Sequence, residues 1–205
     1  MGFRSLIGFM KYKNIVFDFG NVIGRFSGRG LLRDFCSDEK DIDFLLPILF
    51  DRWAEVDKGT FEYEDYSRYV LNQIPERLIP SVKRFLKEWP SHLEPMEDTH
   101  QFIRELKDRG IPIYLLSNAP DYFAEWAKGY EIISYFDGVV FSGPLKMAKP
   151  EPEIYRYLFD TFSLKPEECF FLDDKEENIL AGQALGMDGI IFTGDIDTVK
   201  RRIDF

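Results

Sequence analysis

Residues 15–21 read Ile15-Val16-Phe17-Asp18-Phe19-Gly20-Asn21. An apolar run closed by Gly and Asn predicts a strand buried on both faces. A carboxylate in such a strand is costly unless something pairs with it. At the carboxyl end of a buried parallel strand, Asp18 stands where open α/β sheets hold their ligands. Asp18 is therefore either a cap for the Gly20-Asn21 turn or a chemical group, and the remainder of the chain decides between them.

Downstream the pattern changes twice. From about Gly28 to Trp89 it is helical: Leu31, Leu32 and Phe35 recur at helical spacing, as do Ile42, Leu45 and Leu46, then Tyr66, Tyr69 and Val70. Pro47, Gly59, Pro75, Pro80 and Pro90 are expected to cut this stretch into short helices with no strands among them. After Pro95 the chain alternates. Helices are predicted over 96–109, 121–128, 153–162 and 175–185, and strands over 111–116, 138–141, 169–172 and 189–192, with a short C-terminal helix. Such alternation means βα units on a parallel sheet. The predicted fold is α/β, a doubly wound, Rossmann-like parallel sheet over 10–21 and 94–205. An α-helical cap, 22–93, is inserted after the first strand, and residues 1–9 form a flexible N-terminal extension.

The chain has 205 residues, 45% of them hydrophobic, enough for one large domain with an insertion. Its net charge of −10, from 36 acidic and 26 basic residues, argues against a nucleic-acid backbone as partner. No stretch has the roughly 18 apolar residues of a membrane-spanning helix. Cys36 and Cys169 lack metal-ligand spacing, so free thiols in a reducing, cytoplasmic setting are the simpler reading. A monomer or weak homodimer is expected.

Three predicted strands end in polar groups. Ser117-Asn118 follows Tyr114-Leu115-Leu116, and a hydroxyl, an amide and free N–H groups before a helix suit a phosphate. An N-cap is the commoner use of such a pair. Asp173-Asp174 follows Phe170-Phe171-Leu172. Adjacent carboxylates repel, and Mg²⁺, which takes one or two carboxylates plus substrate phosphate, would relieve them. Asn178 either braces that loop or caps its turn. Lys149, before Pro150, is held extended. There is no Walker loop or dinucleotide fingerprint, and His92 and His100 are the only histidines, too few for a His-based zinc cluster.

FDFGNV at 17–22, LLSN at 115–118, KP at 149–150 and FLDDKEEN at 171–178 occur in an order that resembles the haloacid dehalogenase-like (HAD) hydrolase superfamily. The flanks agree. YFDGVVFSGPLKMAKPEPEIY at 135–155 is similar to the family's third-motif region, and DKGTFEYEDY at 57–66 to the cap of members with a helical insertion. The resemblance runs from residue 14 to the end. It is strongest to the branch holding bacterial sugar-phosphate phosphatases and the phosphatase domain of soluble epoxide hydrolase.

The resemblance implies Asp18 as the nucleophile that forms an aspartyl-phosphate. It implies Mg²⁺ held by Asp18, the Gly20 carbonyl and Asp174, with Asp173 on a metal-bound water. Ser117 and the Asn118 region would hold phosphoryl oxygens, and Lys149 would neutralise charge among Asp18, the phosphate and Asp174. One departure stands out. Most phosphatases of the superfamily carry a second Asp, the general acid and base, two residues after the nucleophile, where this chain has Gly20. The consequence is a slow enzyme, a preference for good leaving groups such as anomeric phosphates, or an acid drawn from the cap or from water. The expected function is a Mg²⁺-dependent phosphomonoesterase acting on a small phosphorylated metabolite, a sugar phosphate being one candidate. The cap would select the substrate, with Arg25, Arg52 and Trp53 the cap residues to inspect. The alternatives are a carbon-halide hydrolase and a catalytically weak or silent phosphate-binding protein.

Overall fold

The structure, a computed structural model, describes residues 10–205; the extension assigned to 1–9 lies outside them. Five parallel strands form the main sheet: β1 (Asn14–Phe17), β4 (Ile113–Ser117), β5 (Gly138–Phe141), β6 (Cys169–Asp173) and β7 (Asp188–Ile191). Their spatial order is β5-β4-β1-β6-β7. Successive strand residues point to opposite faces, and the burial follows that period. Ile15, Phe17, Leu115, Phe170 and Leu172 enter one apolar cluster, whereas Val16, Leu116, Cys169 and Phe171 enter another. The first face is covered by α6 (Glu97–Asp108), α7 (Asp121–Ala127) and α11 (Ile196–Ile203), the second by α9 (Pro152–Phe162) and α10 (Glu176–Ala184). This is the doubly wound arrangement expected.

The chain runs from β1 outward through β4 and β5, then crosses to β6 and β7 on the other side of β1. The strand order reverses beside β1, which makes the carboxyl end of β1 the topological switch point. Phe17 is in register with both Leu115 and Leu172, so Asp18, Leu116 and Asp173 lie at one level on three adjacent strands, and Ser117, the last residue of β4, follows one position on.

The insertion holds α1 (Gly28–Arg33), α2 (Glu39–Phe50), α3 (Trp53–Asp57), α4 (Tyr63–Leu71) and α5 (Ile79–Glu88). One expectation about it is corrected. Pro47 does not end a helix but lies within α2. There Ile42, Leu45 and Leu49 are buried, and packing of that face overrides the lost backbone bond. From Gly28 to Trp89 there is no strand, as expected, and short strands lie only at the neck. β2 (Gly24–Arg25) and β3 (Glu94–Pro95) pair antiparallel where the chain leaves and re-enters the core.

The cap packs tightly on the core. Trp89 stacks on Phe123, with ring centroids 5.3 Å apart, and Tyr63 stacks on Tyr122 at 4.4 Å. Gly59, at φ +73°, brings the chain so close to α8 (Ser142–Leu145) that a Cβ there would lie 2.2 Å from the Gly143 carbonyl oxygen. Only glycine suits both demands. Among the described residues no helix is long and apolar enough to cross a membrane.

Candidate active site

Asp18, Gly20, Ser117, Asn118, Lys149 and Asp174 line a single pocket at the switch point, and Asp173 is fully buried at its base. The Lys149 ammonium is buried between two carboxylates, 2.7 Å from Asp18 Oδ1 and 2.6 Å from Asp173 Oδ2. Burial opposes the Lys149 charge, but Asp18 and Asp173 outweigh it and hold the ammonium above its ordinary pKa. Burial pushes the Asp18 carboxyl up to about 6; Lys149 pulls it back and Asp173 adds to the rise. A cation added beside Asp18 would favour its charged form.

The pairing of Lys149 corrects one expectation. Its partner is Asp173, not Asp174. Asp173 is the last residue of β6 and its carboxylate points into the protein. There it also accepts from Lys175 N at 2.8 Å and from Asn178 Nδ2 at 2.9 and 3.0 Å. Asn178 thus braces Asp173. With both oxygens engaged by protein donors, Asp173 orients Lys149, which leaves little capacity for the metal-bound water assigned to it. Asp174, one residue beyond the strand, faces the pocket and accepts from Asn21 Nδ2 at 2.9 Å. Asn21, at φ 55°, also accepts from Phe26 N at 2.9 Å, so one side chain ties the turn after β1 to Asp174.

The Asn118 side chain has a structural task. Its side chain donates to the Lys149 carbonyl and accepts from the Lys149 N–H, each at 2.8 Å. The amide fixes the Lys149 backbone and is not free for a ligand, so the Ser117 hydroxyl remains the polar side-chain group of that pair facing the pocket. Nearest to an added Cβ at Gly20 are Asp18 Oδ2 at 3.9 Å and Phe26 Cβ at 4.0 Å. Gly20 is not at positive φ, and an added Cβ would make only ordinary van der Waals contacts.

Carboxylate oxygens of Asp18, Asp173 and Asp174 come within 4.8 Å of one another. Of these, Asp18 and Asp174, which line the pocket, fit a hard divalent cation, which takes oxygen ligands and would offset charge that Lys149 alone leaves unbalanced.

The cap contributes Phe26, Trp53, Asp57, Trp89 and Leu93 to the pocket wall. Of the three cap residues singled out from sequence, Trp53 is there. Arg25 pairs with Glu94 at 3.5 Å in the exposed ribbon. Arg52 lies 4.0 Å over the Phe61 ring and bonds Glu55 at 2.7 Å. The sequence reading missed Asp57. Burial raises its pKa well above the ordinary carboxylate value; Lys175 and Lys149 oppose the rise and Asp18 adds to it. Its helical position was a usable signal, because Asp57 is four residues after Trp53 and shares that face of α3.

A carboxylate paired with a buried lysine at the mouth of a parallel sheet, beneath an inserted helical segment, places a candidate active site at the switch point of a doubly wound α/β core. The sequence model for haloacid dehalogenase-like hydrolases matches residues 12–186, and the chain belongs to that family. It is 29% identical to the sesquiterpene phosphatase astK of Aspergillus oryzae, over 91% of this chain and 93% of the relative. It is 27% identical to the D-ribitol-5-phosphate phosphatase of Bacteroides thetaiotaomicron, over 86% and 89%. Among solved structures, a HAD-family enzyme of that bacterium, crystallised with magnesium and inorganic phosphate, superposes with a TM-score of 0.70. The two share 23% identity over 92% of this chain and 98% of the other, a likeness of fold.

Proposed function

We propose that the protein is a Mg²⁺-dependent phosphomonoesterase acting on a small organic phosphate through an aspartyl-phosphate on Asp18. The observation that carries this reading is the Lys149 ammonium between Asp18 and Asp173 within a cluster of three carboxylates. Phosphoryl transfer depends mainly on positioning and charge stabilisation, which such a site supplies. Asp18 attacks phosphorus. Ser117 and Lys149 receive the phosphoryl oxygens. Asp18, Asp174 and the Gly20 carbonyl would hold Mg²⁺, which when bound neutralises charge on the nucleophile and the phosphate. A dehalogenase has no use for the metal, so the carboxylate cluster puts that alternative behind.

The pocket wall bears on the substrate. Four of its five cap side chains are apolar, and Phe123 and Pro120 extend that surface on the core side. Asp57 is the one polar cap side chain, and the cap places no cation in the pocket to read a second phosphate. We therefore put a phosphate on an apolar or aromatic body ahead of a sugar phosphate. The sesquiterpene and ribitol-phosphate phosphatases among the relatives represent these two substrate types. A cytoplasmic setting is part of the same proposal, on the two free thiols.

The test is a panel of phosphate monoesters, with isoprenoid, aryl, polyol and sugar bodies, assayed for phosphate release with Mg²⁺ and with chelator. Metal-dependent hydrolysis weighted toward apolar bodies is expected. Metal-independent release of halide from 2-haloacids, with no ester cleaved, would replace the reading with the dehalogenase.

A further inference from the structure

Gly20 leaves the first motif without a side chain to protonate a leaving group. The pocket contains one carboxyl that neither pairs with Lys149 nor belongs to the carboxylate cluster, that of Asp57. It comes from the cap and shares the pocket wall with Phe26, Trp53, Trp89 and Leu93. Hydrogen bonds play no part in shifting its pKa; burial and charge alone do. An acid intended for proton transfer should be free in this sense.

Its backbone is nevertheless held firmly. The Asp57 carbonyl accepts from Ser142 Oγ, and the same Oγ accepts from Ala119 N at 2.8 Å in the loop after β4. Lys58 forms an ion pair with Glu151. Gly59 rests against Gly143. Three consecutive residues thus fasten this corner of the cap to the core, with the Asp57 side chain turned into the site. The charged groups that act on it are Lys175, Asp18 and Lys149; Asp174 lines the same pocket.

We propose that Asp57, delivered by the cap, is the general acid and base that Gly20 has displaced from the first motif. The proposal rests on the phosphatase reading above. In the first half-reaction an Asp18 oxygen bonds phosphorus as the bond from phosphorus to the ester oxygen breaks. The Asp57 proton passes to that oxygen, and the alcohol leaves neutral. In the second, the Asp57 carboxylate takes a proton from water as its oxygen bonds phosphorus. The bond from Asp18 to phosphorus breaks, phosphate departs, and Asp57 is again protonated. Burial among apolar side chains favours the neutral acid the first step requires. Because the acid belongs to the cap, chemistry waits on cap closure.

The test reads the phosphorylation step by rapid quench in Mg²⁺, using one unactivated alkyl phosphate and one nitroaryl phosphate, in the wild type and in Asp57→Asn. The expected result is a loss of about 10²–10⁴-fold on the alkyl ester, the usual worth of general acid help. Phosphorylation by the nitroaryl ester, whose leaving group needs no proton, should change little, while breakdown of the phosphoenzyme slows. Equal losses on both esters, or none on the alkyl ester, would overturn the proposal and leave the phosphatase reading standing. A second measurement needs no variant: across a series of esters, the wild-type phosphorylation rate should depend only weakly on leaving-group pKa. A steep dependence overturns the proposal. A wild type that cleaves no phosphate ester overturns the phosphatase reading, and this proposal with it.

Discussion

Replacing Lys149 by Met keeps an unbranched side chain of similar length and deletes the charge. The wild-type ammonium is 1% exposed and bridges Asp18 and Asp173, whose side chains are 11% and 0% exposed. Removing one partner from a buried ion pair typically costs about 3–5 kcal/mol, because the remaining charge is left uncompensated. For a domain of this size each kcal/mol shifts the melting temperature by about 2–4 °C, so the expected drop is roughly 6–20 °C. The deficit has a sign in pH. Without the lysine, Asp18 is a carboxyl held further above its unfolded value, so the folded state binds more protons than the unfolded one. Its contribution is favourable below the unfolded value and is lost as pH rises through the folded one. Since burial pushes Asp18 up to about 6 even beside Lys149, the variant should be weakest relative to wild type above that pH and should recover toward pH 4–5. The assay is thermal denaturation of both proteins across this range in chelator, so that no added cation substitutes for the ammonium. A variant within about 2 °C of wild type at pH 8, or a deficit that grows on acidification, would refute the reasoning.

Further outcomes follow from the same geometry. Gly20→Asp introduced into the Asp57→Asn protein should restore much of the lost phosphorylation rate on alkyl esters, since a side chain fits at residue 20 within reach of the site. A folded double variant with no gain would contradict that. Mg²⁺ should raise the melting temperature of the wild type, because it binds the folded state alone, and Asp174→Asn should abolish most of that rise; an undiminished rise would remove Asp174 from the metal site. Asn178→Leu removes two donors from buried Asp173, and a destabilisation of about 1–3 kcal/mol is expected in urea melts.

The sheet was legible because its strands are unbroken apolar runs that end in polar residues. Asp18, Ser117 and Asp173 could be placed together on that ground alone. The division of labour between Asp173 and Asp174 was not. It depends on which carboxylate the end of β6 turns inward, and that orientation follows from the fold around it. The task of the Asn118 amide is hidden for a related reason: it bonds a backbone 31 residues away, a contact no local pattern carries. The β2–β3 ribbon joins Gly24 to Pro95, residue types of low strand propensity, and its pairing spans the whole cap. Asp57 was hidden among the many acidic residues of the chain. Its place four residues after Trp53 was the one local signal, and the company of Asp18 arises only in the folded protein.

The central claim is that Asp18 carries the phosphoryl group. Wild-type protein should be mixed with a nitroaryl phosphate in Mg²⁺, quenched in acid within one turnover, digested and examined by mass spectrometry. The account expects one added phosphoryl group on the peptide containing Asp18, absent when the same experiment is run with Asp18→Asn. A phosphoryl group on another residue, or its continued formation in Asp18→Asn, would contradict it.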